Sequence, residues 1–390
     1  MRDPSVISRT VVILSLVSLF TDIASESLYP VMPVFLKSIG FSVLWIGLLE
    51  GIAEATAGLS KGYFGNLSDR MGKRLPFVRL GYALSAISKP LMAVTTFPLW
   101  IFFTRVTDRI GKGLRTAPRD AILSTEATHR TKGRVFGFHR SLDTVGAATG
   151  PLLALVFLHF YPGRYRELFV LAFFPGLAAT LLTFIIKEKP VEVTITEKVN
   201  FFSFIRYLKE SPVAYKRLLL GLLMFALINS SDLFLILRAK EAGLSDTGVI
   251  GIYIFYNLVY AVFAYPAGVL ADKIGHRATL MLGLMLFVFV YAGMARAITI
   301  YGYGLLFFVY GIYAACTESI SKALISNNVD NKNIATALGT YNAFQSIAAL
   351  LSSSLAGLIW YLCGAEALFI STAGLCAIVI FYFAWLKRPL

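Results

Sequence analysis

Apolar stretches separated by short polar turns recur along the whole chain. Each is close to the ~20 residues an α-helix needs to cross a bilayer. The pattern predicts twelve spans, at residues 10–36, 43–64, 76–96, 98–118, 134–160, 166–186, 214–237, 247–270, 278–297, 301–324, 334–361 and 366–386. The first run, from Val11, has no small-residue cleavage site after a short apolar core, so it reads as a retained span rather than a signal peptide. An even number of spans puts both termini on one side. Basic residues gather in the segments on that side, at Arg70–Arg74, Lys112–Arg134, Lys187–Arg217 and Lys273–Arg277. The positive-inside rule therefore predicts cytoplasmic termini.

The longest polar stretch, 187–213, holds Lys187-Glu-Lys-Pro190 and Thr194-Ile-Thr-Glu-Lys198. The following Phe201-Phe-Ser-Phe-Ile-Arg-Tyr-Leu208 reads as a short amphipathic helix on the membrane surface. This predicts an N-terminal six-helix bundle at 1–186, a cytoplasmic linker at 187–213 and a C-terminal six-helix bundle at 214–390. The halves repeat one another. Gly65-Asn-Leu-Ser-Asp69-Arg70-Met-Gly72-Lys73-Arg74 follows span two, and Gly268-Val-Leu-Ala-Asp272-Lys273-Ile-Gly275-His276-Arg277 follows span eight. Ala121-Ile-Leu-Ser124 likewise matches Ala323-Leu-Ile-Ser326, and Gly137 matches Gly339. Duplicated halves with a site at their interface are a feature of secondary transporters.

Composition agrees with this. The chain is 57% hydrophobic and 15% charged, against about 45–50% and 25% in soluble domains. The net charge of +14 is accounted for by the loops and implies no nucleic-acid partner. Cys316, Cys363 and Cys376 lie in apolar runs without metal-ligand spacing, and His129, His139, His159 and His276 are scattered. No phosphate-binding glycine loop is present, which argues against an ATP-driven pump. No cofactor, metal or nucleophile–base constellation emerges, so an enzyme is disfavoured.

The most informative residues are ionisable ones inside the spans, which are costly there and functional by default. Span one carries Asp22 and Glu26, span two Glu50 and Glu54, span three Lys89, and span four Arg105, Asp108 and Arg109. Spacings of four put the pairs 22/26, 50/54 and 105/109 each on one helical face. Counting helical rise places Asp22, Glu50, Lys89 and Arg105 at one depth, about 10–12 Å below the outer boundary. Mutual neutralisation is expected there, with Asp22 and Glu26 beside Arg105 and Arg109. Acids outnumber bases, so Asp22, Glu26, Glu50, Glu54 and Asp108 are candidates for carrying a proton, and Lys89, Arg105 and Arg109 for holding substrate. A static ion-pair network is the rival reading. The second half offers a polar wall for substrate: Asn229 and Asp232 in span seven, Tyr256 and Asn257 in span eight, and Asn342 and Gln345 in span eleven.

At its loop motifs the sequence resembles the major facilitator superfamily, whose signature G-x-x-x-D-R/K-x-G-R/K-R/K occurs here twice. Gly137, then eight residues, then Gly146-Ala-Ala-Thr-Gly150-Pro151 resembles the motif of drug/proton antiporters, with Ala154-Leu155 where that motif ends in two glycines. Thr21-Asp22-Ile-Ala-Ser25-Glu26-Ser-Leu-Tyr29-Pro30 and Asp108-Arg109-Ile-Gly111-Lys112-Gly113-Leu-Arg115-Thr-Ala-Pro118-Arg119-Asp120 resemble a bacterial branch of the superfamily. The resemblance implies the all-α major facilitator fold in a bacterial inner membrane. It also implies alternating access gated by Gly65, Asp69, Arg70, Gly72, Lys73, Gly146, Gly150, Pro151 and Asp272. The expected function is proton-coupled export of a small amphipathic solute or drug by a monomer, its partners the solute, protons and the lipid bilayer. The alternatives are proton symport of an organic anion or metal–siderophore complex, and a non-transporting receptor.

Overall fold

The computed structural model describes residues 6–188, 200–296 and 299–386; of the polar stretch expected as a linker, 189–199 lie outside the described residues. Within the described residues all regular structure is helical. The helices are α1 (Arg9–Glu26), α2 (Met32–Ser38), α3 (Val43–Met71), α4 (Leu75–Val94), α5 (Pro98–Thr125), α6 (Lys132–Phe160), α7 (Tyr165–Leu171), α8 (Phe173–Thr183), α9 (Ser203–Glu210), α10 (Val213–Ile228), α11 (Leu233–Glu241), α12 (Asp246–Ile274), α13 (His276–Arg296), α14 (Ile300–Asn327) and α15 (Ile334–Trp385). Ser8, Ser42, Ser245 and Thr299 cap the starts of α1, α3, α12 and α14, each side-chain oxygen accepting an N–H from the first turn. Within α15, Gly364 turns the chain at φ +87°, a conformation open to glycine at little cost. The turn divides roughly 80 Å of helix into two lengths suited to a bilayer.

Seven helical stretches among the described residues are long and apolar enough to cross a membrane: Lys132–Phe160, Tyr165–Thr183, Val213–Glu241, Gly251–Ile274, His276–Arg296, Tyr301–Asn327 and Asn331–Trp385. The long helices α1, α3, α4 and α5, which carry the ionisable residues singled out above, are not among them. Three expected spans are interrupted, span six only at Ala172 between α7 and α8, and spans one and seven more widely. Span one divides at residues 27–31, where Pro30 lacks a backbone donor. Span seven divides at residues 229–232, Asn-Ser-Ser-Asp, whose short polar side chains compete with helical hydrogen bonds.

The chain forms two compact units. The first comprises Met1–Glu126, Leu142–Glu210 and Asp330–Ala343; the second comprises Ala127–Ser141, Ser211–Val329 and Phe344–Leu390. Residues 127–141 and 330–343 thus group apart from the bundles to which the sequence reading assigned them. Close helix crossings explain this. In the first unit, the start of α15 lies so near α3 that a Cβ on Gly65 would strike the carbonyl of Ala335, and one on Gly339 the carbonyl of Lys61. In the second unit, the start of α6 lies equally near α12, Gly137 against the carbonyl of Ala264 and Gly133 against that of Gly268. Glycine permits such approach between helices.

The amphipathic segment forms α9, but it does more than lie on a surface. The Phe204 ring occupies the space beside Gly62, its carbonyl accepts from Thr340 Oγ1 at 3.3 Å, and Phe204 and Tyr207 are buried. Phe202 and Ile205 remain exposed. The short helix therefore docks one face on α3 and α15.

Candidate functional site

Three helices of the first unit bring charges together. Gly81 and Gly111 seat α4 on α5, a Cβ on Gly81 lying 2.7 Å from the Gly111 carbonyl. The same helices then pair Lys89 Nζ with Asp108 Oδ1 at 3.3 Å. Asp108 also accepts from Ser85 Oγ at 2.5 Å, and Lys89 donates to the Ser85 carbonyl at 2.8 Å. One turn along, Arg105 holds Glu50 of α3 through Nε at 3.0 Å and Nη2 at 2.6 Å. Arg109 reaches Glu54 at 2.9 Å and Glu50 at 3.9 Å. Lys89 is 2% exposed on its side chain and Glu54 56%, so the network runs from a sealed pair to an open one. The i,i+4 faces expected from spacing are real, and each basic residue among them meets an acid.

Asp22 and Glu26 do not join this network as expected. Among the described residues neither stands in a salt bridge. The Asp22 carboxyl lies beside that of Asp143 on α6, and Lys112 and Arg109 act on Glu26 electrostatically without pairing with it. The reason is packing. A Cβ on Gly146 would lie 2.5 Å from the Leu19 carbonyl and 3.0 Å from Asp22 Cβ. One on Gly150 would lie 2.7 Å from Ser27 N. The glycines of the antiporter-like motif thus seat α6 on the acidic face of α1. Asp143 was missed in the sequence, although a lone acid in an apolar span three residues before Gly146 was a usable signal.

The two loop motifs have matching geometry. Asp69 is buried and accepts from Arg74 Nη2 at 2.8 Å, Thr336 N at 2.7 Å and Thr336 Oγ1 at 3.0 Å. Arg74 also donates to the Asn331 carbonyl at 2.6 Å. Gly72 ends α3 at φ +62°, while Arg70 is half-buried and Lys73 exposed. In the second copy Asp272 accepts from the backbone N–H groups of Gly133 at 2.9 Å and Arg134 at 3.1 Å. Arg134 Nε and His276 Nε2 each lie 3.3 Å from it. Each carboxylate sits at a helix start, where unpaired N–H groups and the dipole favour negative charge. Arg74, Thr336 and Arg134 were not among the expected gating residues; nor was Glu188, which accepts from the N–H groups of Arg74 and Leu75 at 2.6 and 2.9 Å.

In the second unit the break between α10 and α11 presents Asp232, which accepts from Tyr256 Oη at 2.7 Å and Tyr310 Oη at 2.6 Å. Tyr253 and Tyr313 extend this aromatic wall, with ring centroids 5.4 Å from Tyr256 and 5.1 Å from Tyr310. Tyr310, from α14, was missed. Asn229 lies in the same break, its Oδ1 buried with no hydrogen-bond partner. Asn257 instead bonds its own helix, at the Tyr253 carbonyl. Asn342 is buried in the first unit and Gln345 half-buried in the second. A further cluster joins Arg140 of α6 to Glu318 at 2.7 Å and Tyr260 at 2.5 Å.

Comparison with known proteins agrees with this geometry. The family model described as Major Facilitator Superfamily matches residues 14–258 and 234–390. An MFS-type transporter of Methanocaldococcus jannaschii is 34% identical over 360 residues, covering 91% of this chain and 89% of that one. The multi-drug resistance efflux pump PmrA of Streptococcus pneumoniae is 24% identical over 315 residues, covering 76% of this chain and 75% of that one. The crystal structure of the human organic anion transporter MFSD10 superposes with a TM-score of 0.81 at 18% identity, covering 98% of this chain and all of that one. Helices sealed by buried ion pairs, two copies of one loop motif and this likeness over nearly the full length lead to one conclusion: the chain belongs to the major facilitator superfamily, and it is a multi-pass membrane transporter rather than an enzyme.

Proposed function

We propose that this protein is a proton-coupled secondary transporter of twelve membrane spans that exports a small amphipathic solute by alternating access. It sits in a bacterial inner membrane with both termini cytoplasmic and a cytoplasmic linker at 187–213. The observation that carries the reading is the unequal treatment of the acids within the spans. Glu50, Glu54 and Asp108 each have an arginine or lysine partner within 4 Å, whereas Asp22 and Glu26 do not among the described residues. A carboxylate at bilayer depth without a counter-charge is neutralised by a proton. One that gains or loses cationic neighbours during a conformational cycle therefore moves that proton across the membrane. The Asp69 and Asp272 contacts serve as latches that break and re-form in the cycle, with Gly65, Arg70, Gly72, Lys73 and Pro151 shaping them and the helices they join. Asp232, Asn229, Tyr256 and Tyr310 form the substrate-facing wall, with Asn257, Asn342 and Gln345 as further polar positions.

Export is supported by the glycine face that seats α6 on α1 and by the efflux pump among the relatives. Symport of an organic anion is less well supported, because Lys89, Arg105 and Arg109 are already engaged by carboxylates. The test is transport in proteoliposomes with and without an imposed pH gradient, using a fluorescent amphipathic cation as first substrate. Asp22→Asn and Glu26→Gln abolish gradient-driven accumulation while exchange down a substrate gradient survives, since the amide mimics the protonated acid. Unchanged gradient dependence in both variants would refute the assignment.

A further inference from the structure

Neither the coupling acids nor the latches use Arg140 and Glu318, yet three helices of the second unit bring these two together. Gly137 seats α6 against the Ala264 carbonyl of α12. Ser141 Oγ donates to the Ala261 carbonyl at 2.5 Å. Gly137, Arg140 and Ser141 stand three and four residues apart and so share one face of α6. That contact delivers Arg140 to Tyr260 of α12. On α14, a Cβ on Gly311 would lie 2.8 Å from the Tyr256 carbonyl. Glu318 follows two turns later on the same face. Arg140 Nη2 then lies 2.7 Å from Glu318 Oε2, and Arg140 Nε donates to Tyr260 Oη at 2.5 Å. The guanidinium carbon stands 5.0 Å from the centre of the Tyr260 ring.

The two members of this pair are not equally open. The Glu318 side chain is 51% exposed and that of Arg140 30%, while Tyr260 is buried. Glu318 stands about 14 Å inside the nearer end of α14. An ionisable side chain at such depth faces a bundle interior or a water-filled cavity, not lipid. The open half of Glu318 is therefore wet. A carboxylate has two oxygens with room for about four donors, so the contact with Arg140 leaves acceptor sites for a ligand. Arg140 is the more enclosed partner, and it has a second place to rest. Displaced from Glu318, it keeps the hydroxyl and the ring face of Tyr260, an aromatic surface that attracts a cation.

We propose that Glu318 is a binding residue for an organic cation and that Arg140 is its internal stand-in. The guanidinium holds the carboxylate in the empty protein, and the positive group of the substrate takes its place. This rests on the reading of the second unit's polar wall as substrate-facing, and it narrows the substrate from an amphipathic solute to an amphipathic cation. An uncharged or anionic solute gains nothing by displacing Arg140. The internal pair also lets the empty transporter complete its cycle without a bare carboxylate at bilayer depth, which is costly there.

The test measures binding of ethidium, a planar organic cation, and of Nile red, an uncharged dye, by fluorescence titration of the purified protein in detergent. The variants are Glu318→Gln, Arg140→Ala, Arg140→Gln and Arg140→Ala/Glu318→Gln. Glu318→Gln is expected to weaken ethidium binding at least about tenfold, since a charge-assisted contact is lost. Both single Arg140 variants are expected to tighten it about threefold, the weight of a half-exposed ion pair. That is a gain a misfolded variant cannot show. The double variant binds as weakly as Glu318→Gln, because the gain needs the carboxylate. Nile red binding changes less than about twofold throughout. Wild-type ethidium affinity in Glu318→Gln overturns the proposal. So does weaker binding in both Arg140 variants, which would make Arg140 a support for Glu318 rather than its competitor. Wild type that binds no ethidium overturns the cation assignment. The titration uses no proton gradient, so a failed coupling role for Asp22 and Glu26 leaves its result standing. Unchanged affinity in Asp232→Asn beside a tenfold loss in Glu318→Gln keeps the cation site and removes only Asp232 from the wall.

Discussion

Arg105 grips Glu50 across two helices with two of its nitrogens, and its own side chain is 6% exposed. An arginine so placed has no solvent to return to. Removing Arg105 leaves the half-buried Glu50 with only Arg109 at 3.9 Å, at a cost of up to about 3–5 kcal/mol. Arg105→Ala should therefore lower the unfolding temperature of the purified protein in detergent far more than Arg164→Ala, whose side chain is 62% exposed in its pair with Glu167. The double variant Arg105→Met/Glu50→Met should recover much of the loss, because a well-packed apolar pair replaces both charges. Equal effects of Arg105→Ala and Arg164→Ala would remove the structural role assigned to this pair.

Asp69 accepts two hydrogen bonds from Arg74 and two from Thr336, joining α3 to the following loop and the start of α15. Asp69→Asn keeps the size of the side chain but removes the charge from hydrogen bonds that are worth about 1.5–3 kcal/mol each when ionised. The expected outcome is a transport rate reduced about tenfold or more, with substrate affinity changed less than about twofold. Asp272→Asn should act in the same direction. Stopped-flow transport and equilibrium binding on the same preparation separate the two quantities; full transport in correctly inserted Asp69→Asn protein contradicts the latch.

Gly150 and Gly374 are both helical, yet only Gly150 is crowded. A Cβ on Gly150 would meet Ser27 N at 2.7 Å and the Ile23 carbonyl at 2.8 Å, while nothing lies within 4 Å of the same position on Gly374. Gly150→Ala is therefore expected to cost about 1–3 kcal/mol by forcing α6 off α1 and to reduce transport. Gly374→Ala should be neutral or stabilising by up to about 1 kcal/mol. Thermal unfolding of both variants checks the contrast.

Asp232 accepts hydrogen bonds from Tyr256 and Tyr310 on two different helices. Tyr310→Phe removes one of these bonds, worth about 0.5–1.5 kcal/mol. If this cluster is the substrate wall, Tyr310→Phe weakens binding of an amphipathic cation severalfold, and Asp232→Asn weakens it by more. Fluorescence titration measures both. Unchanged affinity in Asp232→Asn would move the substrate site away from the break between α10 and α11.

The membrane class, the internal duplication and the helical faces that carry charge were all legible in the sequence. They are local or compositional properties: an apolar run long enough for a bilayer, a motif written twice, an acid recurring after four residues. Glu50 with Glu54 and Arg105 with Arg109 follow from helical geometry alone, and opposite charge at bilayer depth implied that they meet. The turn at Gly364 and the breaks at 27–31 and 229–232 were less visible, because an apolar run hides where its backbone hydrogen bonds are interrupted.

Lateral neighbours were decided only by the tertiary structure. Asp22 was expected beside an arginine and instead faces Asp143, since depth fixes a residue's height in the membrane but not the helix beside it. What selects that neighbour is the close approach of α1 and α6 at Gly146 and Gly150, a contact between segments more than a hundred residues apart. The same holds for Thr336 on Asp69 and for the docking of Phe204 beside Gly62. Sequence specifies which face of a helix is small, acidic or apolar; only packing, where backbones approach to within a missing side chain's width, determines what that face touches.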